Sequence, residues 1–259
     1  MAYRKTTIKT KCSLEITESF TNRCRPPGRK REKKRNPTPE AMERANQRRR
    51  ERKNLILMRN NFEVGDCYQT HTWSPDCRPP DMEEAKRQIS NFWKRVRRRY
   101  EKYGQELKYM ANIEVGARGA WHIHIVVNEV KDSNGIGIAP SILRDCWPYG
   151  SVKDTKRLRE QGMFRDLSAY LIKNEKTDPE KCQMAKAMHS QNLIMPEEEV
   201  KTYSRRQVLD RTGAWKEIRI PEGYCLEPDS LYEGVNLYTG FPYRTYALLK
   251  LPEGRTRGG

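Results

Sequence analysis

Apolar and polar positions alternate most clearly in the middle of the chain, where a short glycine-containing connection separates two β-rich runs. The runs are Tyr109–Val115 and Trp121–Val127, and a three-residue loop at Ala117–Gly119, with a left-handed glycine in its last position, predicts a β-hairpin. Side chains alternate between the two faces of a strand, so His122 and His124 share one face. The opposite face of the second strand is apolar.

This register places Glu114 directly across from His122. Cross-strand partners have Cβ atoms about 4.5–5.5 Å apart, close enough for a carboxylate and two imidazoles to hold one ion. An isolated His-x-His is more often part of an ordinary half-buried strand. The metal interpretation is favoured because the chain has four histidines, and two of them flank Ile123 beside a facing Glu. Such a mixed ligand set suits Mn²⁺ somewhat better than Mg²⁺.

Similar patterns predict the remaining elements. The predicted strands are one or two edge strands within residues 3–20, Cys67–Trp73, a strand from about Tyr149, and Tyr243–Leu249. The predicted helices start at Thr38-Pro39, at Met82 and near Ala139-Pro140, and a fourth is described below. The helix over Met82–Tyr103 has apolar residues three and four positions apart, with Lys and Arg on its other side. We therefore expect it to pack on the sheet with its basic side outward. His71 is interpreted as a strand histidine without a catalytic role.

The segment Met163–Glu175 predicts a helix capped by Asp166. Tyr170 and Lys173, three positions apart, then lie on the same side. A tyrosine on an amphipathic helix is usually a packing residue, but after a Glu/His/His hairpin it has a specific chemical use as a nucleophile.

These elements predict an α+β fold with a central antiparallel sheet and helices packed on it. Three consecutive segments are expected. Residues 1–54 hold the N-terminal strands, a basic arm and a basic helix, residues 55–176 form the core domain, and residues 177–259 form a small α+β appendix.

The charge of the chain changes the interpretation of its surface. The 259 residues carry a formal charge of +17, and residues 23–53 contain fourteen Lys and Arg against four Glu. Such a surplus favours a polyanionic partner, with nucleic acid as the first choice and an anionic membrane as the alternative. We interpret the arm from Arg23 to Lys53 as a clamp on the DNA backbone, with a solubilising or targeting role as the alternative. The predicted DNA contacts are Arg29, Lys30, Arg31, Arg48, Arg49, Arg50, Arg97 and Arg98.

Membrane insertion, secretion and a zinc site are disfavoured by the sequence. The chain has no apolar run of about 18 residues and no apolar core of a signal peptide at its N-terminus, so neither membrane insertion nor secretion is expected. The seven cysteines are scattered, odd in number and never spaced as C-x-x-C. This favours a reducing cytoplasmic environment without a zinc site.

The order of the chemical groups resembles the HUH endonuclease superfamily, specifically the single-tyrosine rolling-circle replication initiators of bacterial mobile elements. The resemblance is carried by Glu114, by His122-Ile123-His124 and by Tyr170-Leu171-Ile172-Lys173, and it extends from about Asn46 through Glu175. Conjugative relaxases usually place the tyrosine before the histidines, so the order here argues against them. No G-x-x-x-x-G-K-[ST] motif occurs, so a fused P-loop helicase is not expected.

The resemblance implies that Glu114, His122 and His124 bind Mg²⁺ or Mn²⁺ and that Tyr170 becomes covalently joined to the 5′ phosphate of nicked DNA. Lys173 would help the phenol lose its proton or would orient it. The implied activity is site-specific nicking and joining of single-stranded DNA at a replication origin, with a host or separately encoded helicase as partner. The alternatives are a single-tyrosine transposase and a basic DNA-binding protein, a repressor or packaging factor, whose His-x-His is structural.

Overall fold

The computed structural model describes residues 2–21, 36–116, 119–159, 162–172 and 186–251. The chain divides into two compact units. The terminal unit comprises Met1–Arg52 and Met195–Gly259, and the central unit comprises Lys53–Ile194. Each unit contains one antiparallel sheet, so the α+β fold class predicted from the sequence is confirmed.

The elements follow one another along the described ranges. The strands are β1 (Ala2–Lys9), β2 (Ser13–Thr21), β3 (Cys67–Trp73), β4 (Tyr109–Val115), β5 (Trp121–Val127), β6 (Gly150–Arg157), β7 (Lys186–His189), β8 (Glu198–Ser204), β9 (Tyr224–Leu226), β10 (Tyr232–Val235) and β11 (Pro242–Lys250). The helices are α1 (Pro39–Asn61), α2 (Met82–Glu101), α3 (Ala139–Asp145), α4 (Gly162–Tyr170) and α5 (Arg205–Val208), with a 3₁₀ turn at Pro75–Cys77.

The sheet of the central unit has the strand order β6-β3-β5-β4-β7. One of its faces is covered by α2 and α3, and the fully buried Phe92 and Val96 of α2 pack in one cluster with Ile113 and Ile123 of the sheet. α2 begins where Asp81 Oδ1 accepts a hydrogen bond from the backbone N–H of Glu84 at 2.8 Å. Its Lys and Arg are largely exposed, so the predicted orientation of this helix is confirmed.

The other face of the same sheet is covered at one end by the C-terminal half of α1 and by α4. Met58 of α1 and Phe164 of α4 pack with Met110 and Val126 in a second buried cluster. Because both faces of the sheet are covered there, this end of β5 is apolar on both sides. The other end of this second face carries the two histidines and is polar. The candidate site lies at that end.

The predicted hairpin and its register are confirmed. Glu114 pairs with His122 across β4 and β5, and the Gly116 N–H donates to the Ala120 carbonyl at 2.9 Å. Gly119 has a left-handed backbone with φ of 69°, as its position in the loop requires. Residues 117 and 118 of the predicted loop lie outside the described ranges.

The terminal unit joins the two ends of the chain in one sheet of order β10-β11-β2-β1-β8, with β9 paired to β11. The sequence pattern predicted three consecutive segments, whereas β1 and β2 here pair with strands from residues beyond Met195. The prediction that residues 3–20 form edge strands is wrong, because β1 and β2 each have a partner strand on both sides. Two of those partners lie near the other end of the chain, where no local pattern could reveal the pairing.

Two predicted helix starts have different outcomes. α1 begins at Pro39 as predicted, and Thr38 Oγ1 accepts a hydrogen bond from the Ala41 N–H at 3.3 Å. Asp166 does not cap α4, which already begins at Gly162. The earlier start gives Phe164 a helical position from which it reaches the core, where it is 1% exposed. None of the helices in the described ranges is both long and apolar enough to cross a membrane.

Replacing Gly119 by Ala tests the hairpin geometry. The left-handed backbone of Gly119 should cost an L side chain about 1 kcal/mol of unfolding free energy, measured by urea denaturation. Gly116→Ala is the matched control, because its added Cβ would meet only ordinary contacts at 3.6 Å. That variant is expected to be neutral or slightly stabilising. Equal destabilisation by both substitutions would contradict the assigned loop.

Candidate metal centre

The structure brings the three predicted ligand residues together on one face of the central sheet. Glu114 Oε2 lies 3.3 Å from His122 Nε2 and 3.7 Å from His124 Nε2. The candidate ligand atoms of all three residues lie within 4.8 Å of one another. Glu114 and His124 are buried, and His122 is half-buried at the open end of the group. This arrangement can hold one metal ion while leaving access from the His122 side.

Neighbouring groups orient both imidazoles with the Nε2 atoms inward. His122 Nδ1 is 3.3 Å from the Ala120 carbonyl, which can only accept, so Nδ1 is the protonated nitrogen. His124 Nδ1 lies 2.9 Å from the Tyr68 hydroxyl and 3.1 Å from Thr70 Oγ1. Both hydroxyls can accept from His124 Nδ1, and a proton on each Nδ1 would leave both Nε2 atoms with a lone pair for a cation.

The two oxygens of the Glu114 carboxylate have different partners. The Asn112 side-chain amide donates to Oε1 at 2.8 Å, whereas Oε2 is buried and faces the Nε2 atoms of the two imidazoles. Burial opposes the ionisation of Glu114, but in the cation-free site hydrogen bonds and charge interactions with His122 and His124 outweigh it and lower its pKa to about 2. A divalent cation would take the place of the imidazole protons that face this buried oxygen, and the N₂O ligand set is compatible with Mn²⁺ or Mg²⁺.

Tyr170 approaches the same ligand atom from the end of α4. Its hydroxyl lies 2.9 Å from His124 Nε2, and its ring meets the imidazole edge-on with centroids 4.6 Å apart. Earlier in the helix, Phe164 enters the apolar cluster, which directs the last residue of α4 towards the polar end of the sheet. The predicted phenol and the predicted metal ligands therefore meet. Lys173 lies outside the described residues.

The region that contains the candidate site matches a known protein family. Residues 66–175 match the family model of the replication-associated protein ORF2. The resemblance to rolling-circle replication initiators is thereby confirmed for this segment, which runs from β3 to just beyond α4 and contains the Glu/His/His group and Tyr170. The same comparisons found no match among curated proteins or solved structures. The family match supports a replication-associated role and a nuclease type of enzyme.

Two other predicted site residues lie in the central unit, on the side of its sheet away from the metal ligands. Arg97 and Arg98 are exposed on α2, which covers the opposite face of the sheet. The exposed cations of α1 at positions 48–50 belong to the terminal unit. The predicted arm contacts at positions 29–31 lie outside the described residues.

His71 is separated from the metal ligands by the sheet itself. It packs between Phe92 and Trp147, and its Nε2 is 2.8 Å from Gln69 Oε1. Burial, with a smaller contribution from Arg144, lowers the pKa of His71 to about 3. A neutral imidazole on the core face has no access to an ion held on the opposite face.

The orienting groups Asn112, Tyr68 and Thr70 were not found from the sequence. Asn112 lies two positions before Glu114, so strand alternation alone could have placed it on the same face. Tyr68 and Thr70 lie on β3, and Thr70 pairs with His124. Their role depends on the pairing of β3 with β5, which no local pattern specifies.

Asn112→Ala tests how the carboxylate is held. Removing the amide leaves Glu114 Oε1 without its buried donor, so Mn²⁺ affinity, measured by isothermal titration calorimetry, should fall by about 10- to 100-fold. The matched control is Asn61→Ala, which removes a buried amide bonded to the Leu57 and Ile194 carbonyls in the same unit. The control should keep the parent Mn²⁺ affinity. A similar loss in both variants would indicate general loosening of the unit.

Proposed function

We propose that this protein nicks and rejoins single-stranded DNA at a replication origin through a 5′-phosphotyrosine intermediate, and that this reaction initiates rolling-circle replication. Tyr170 is the proposed nucleophile, and Glu114, His122 and His124 are the proposed ligands of a divalent ion. The observation that carries the proposal is the 2.9 Å separation between the Tyr170 hydroxyl and His124 Nε2. It supports a reaction in which one phosphate contacts both the phenol and the ion.

The chain's own residues supply position and charge. Glu114 remains an anion because its pKa is lowered to about 2, the burial of the carboxyl being outweighed by the imidazoles. Asn112 and the partners of the two Nδ1 atoms keep the three ligand atoms converged. When bound there, a divalent ion would polarise the phosphate and stabilise the charge of the transition state.

In the nicking step the Tyr170 phenol loses its proton and its oxygen forms a bond to phosphorus. The bond between phosphorus and the 3′ oxygen of the preceding nucleotide breaks, and that oxygen takes up a proton to become a free 3′ hydroxyl. The enzyme keeps the 5′ phosphate as a phosphotyrosine. In the reverse step a 3′ hydroxyl loses its proton and its oxygen forms a bond to phosphorus. The bond between phosphorus and the Tyr170 oxygen breaks and the phenol regains a proton, so joining needs no nucleoside triphosphate.

The proposed substrate is unpaired at the cut, because an unpaired strand bends into a site on a sheet face more readily than a duplex does. The exposed Arg48, Arg49 and Arg50 of α1 are proposed to bind DNA phosphates. Unwinding is proposed to depend on a separate helicase. Lys173 is proposed to assist the phenol.

Tyr170→Phe tests the nucleophile. The variant should form no covalent protein–DNA adduct when incubated with an origin-strand oligonucleotide and Mn²⁺, because the ring lacks the attacking oxygen. The adduct is detected as a band of lower mobility on a denaturing gel, and the mass of the modified peptide locates it. Tyr109→Phe is the matched control, since Tyr109 lies on the hairpin and stacks on Trp93 with ring centroids 3.8 Å apart.

The control variant should form the adduct at the parent level. An adduct of normal yield in Tyr170→Phe would remove the proposed nucleophile. If Tyr68→Phe alone abolished the adduct, the nucleophile would instead be the other phenol that contacts His124.

His122→Ala and His124→Ala test the ion. Each should lower the nicking rate by at least about 100-fold, beyond the loss typical of removing a group that only orients a ligand. EDTA should abolish nicking by the parent protein, and added Mn²⁺ should restore it. Salt-dependent DNA binding, measured by fluorescence anisotropy, should persist in both variants, because contacts to DNA phosphates supply the salt-dependent part of the affinity. Joint loss of binding and nicking would indicate that the histidines are structural.

A further inference from the structure

The outer side of α2 carries a row of cations that the nicking reaction does not use. The exposed residues between Arg87 and Glu101 are all polar or charged. Among them Lys94, Arg97 and Arg98, with Ser90 and Asn91 one turn earlier, follow the three- and four-residue spacing of a single helical ridge. We call these five residues the basic stripe.

The cations of the stripe differ from their neighbours in how they are neutralised. Arg87 pairs with Glu84 at 2.7 Å, and Arg99 lies 3.4 Å from Asp145. Within the described residues, no ion pair is formed by Lys94, Arg97 or Arg98. Three adjacent positive charges are therefore presented outward on a rigid helix.

The stripe faces away from the metal centre. α2 packs on the sheet face formed by Ile113 and Ile123, whereas Glu114 and His122 project from the opposite face. A DNA strand bound at the metal centre would have to pass around the edge of the sheet to reach the stripe. The two surfaces therefore suit different parts of a nucleic acid.

The chemistry of the stripe favours a duplex over a single strand or a membrane. Single-strand sites generally combine cations with exposed aromatic rings on which bases stack, and none is exposed between Arg87 and Glu101. Insertion of α2 into a bilayer would need its apolar side, which is buried against the sheet. Duplex DNA carries one phosphate charge per about 1.7 Å of its axis, which suits a short rigid row of cations.

We infer that the basic stripe is a binding surface for the phosphate backbone of duplex DNA, separate from the single-strand site. The surface uses charge and position rather than base edges, so it binds without sequence preference. It holds the double-stranded flank of a DNA molecule on the side of the central unit away from the metal centre. This binding needs neither the metal ion nor Tyr170.

The test compares two triple variants of the full chain in EDTA, so that no cleavage occurs and failure of the nicking proposal does not affect the result. The first is Lys94→Gln/Arg97→Gln/Arg98→Gln. The control removes the same charge from Arg206, Arg211 and Arg219, which are exposed but scattered over residues 205–220 of the terminal unit. Binding to a random-sequence duplex and to a single strand of equal length is measured by fluorescence anisotropy between low and high salt.

For the stripe variant, the slope of log affinity against log salt on the duplex should decrease in magnitude by about 2 to 3, as expected for three lost phosphate contacts. For the control variant on the duplex, this slope should change by less than about 1. The same limit applies to the stripe variant on the single strand. Thermal unfolding of both variants excludes loss of the fold.

An equal change in the two triple variants would mean that net charge alone acts, and the inference would be overturned. An equal change on duplex and single strand would also overturn it. So would an unchanged duplex slope combined with lost binding to vesicles of anionic phospholipid, which would assign the stripe to a membrane surface.

Discussion

The antiparallel register of one hairpin is the constraint on which the candidate site depends. Because β4 and β5 are joined by a loop with a left-handed glycine, Glu114 must lie across from His122, and strand alternation adds His124 to the same face. A slip of one residue would move both imidazoles into the apolar core. The site is therefore a property of strand pairing before it is a property of any single side chain.

The division of one sheet face into an apolar and a polar end then completes the site. Met110 and Val126 anchor α1 and α4 at the apolar end, and this anchoring brings Tyr170 to within hydrogen-bonding distance of His124. At the polar end, the buried Asn112 and the hydroxyls of β3 satisfy the atoms that do not face the ion. The packing that stabilises the unit also orients the chemical groups.

Local sequence patterns predicted much of the central sheet and of the candidate site. The hairpin, its register and the strand Cys67–Trp73 were all predicted correctly, because alternation and turn chemistry act between near neighbours. The errors arose where distant segments meet. Alternation alone predicts edge strands at β1 and β2, whereas their partners β8 and β11 lie near the other end of the chain. α4 starts before Asp166, and its first turns place Phe164 in a core that other elements build.

The sequence by itself determined the three candidate ligand residues and the face they share, since a strand period of two and a short loop are local rules. It also determined the +17 surplus and its concentration in a few segments. Only the tertiary structure decided that the phenol meets His124, that Tyr68 and Thr70 orient this imidazole, and that the basic stripe lies across the sheet from the metal centre. These relations join residues tens of positions apart, and they depend on which faces are buried together.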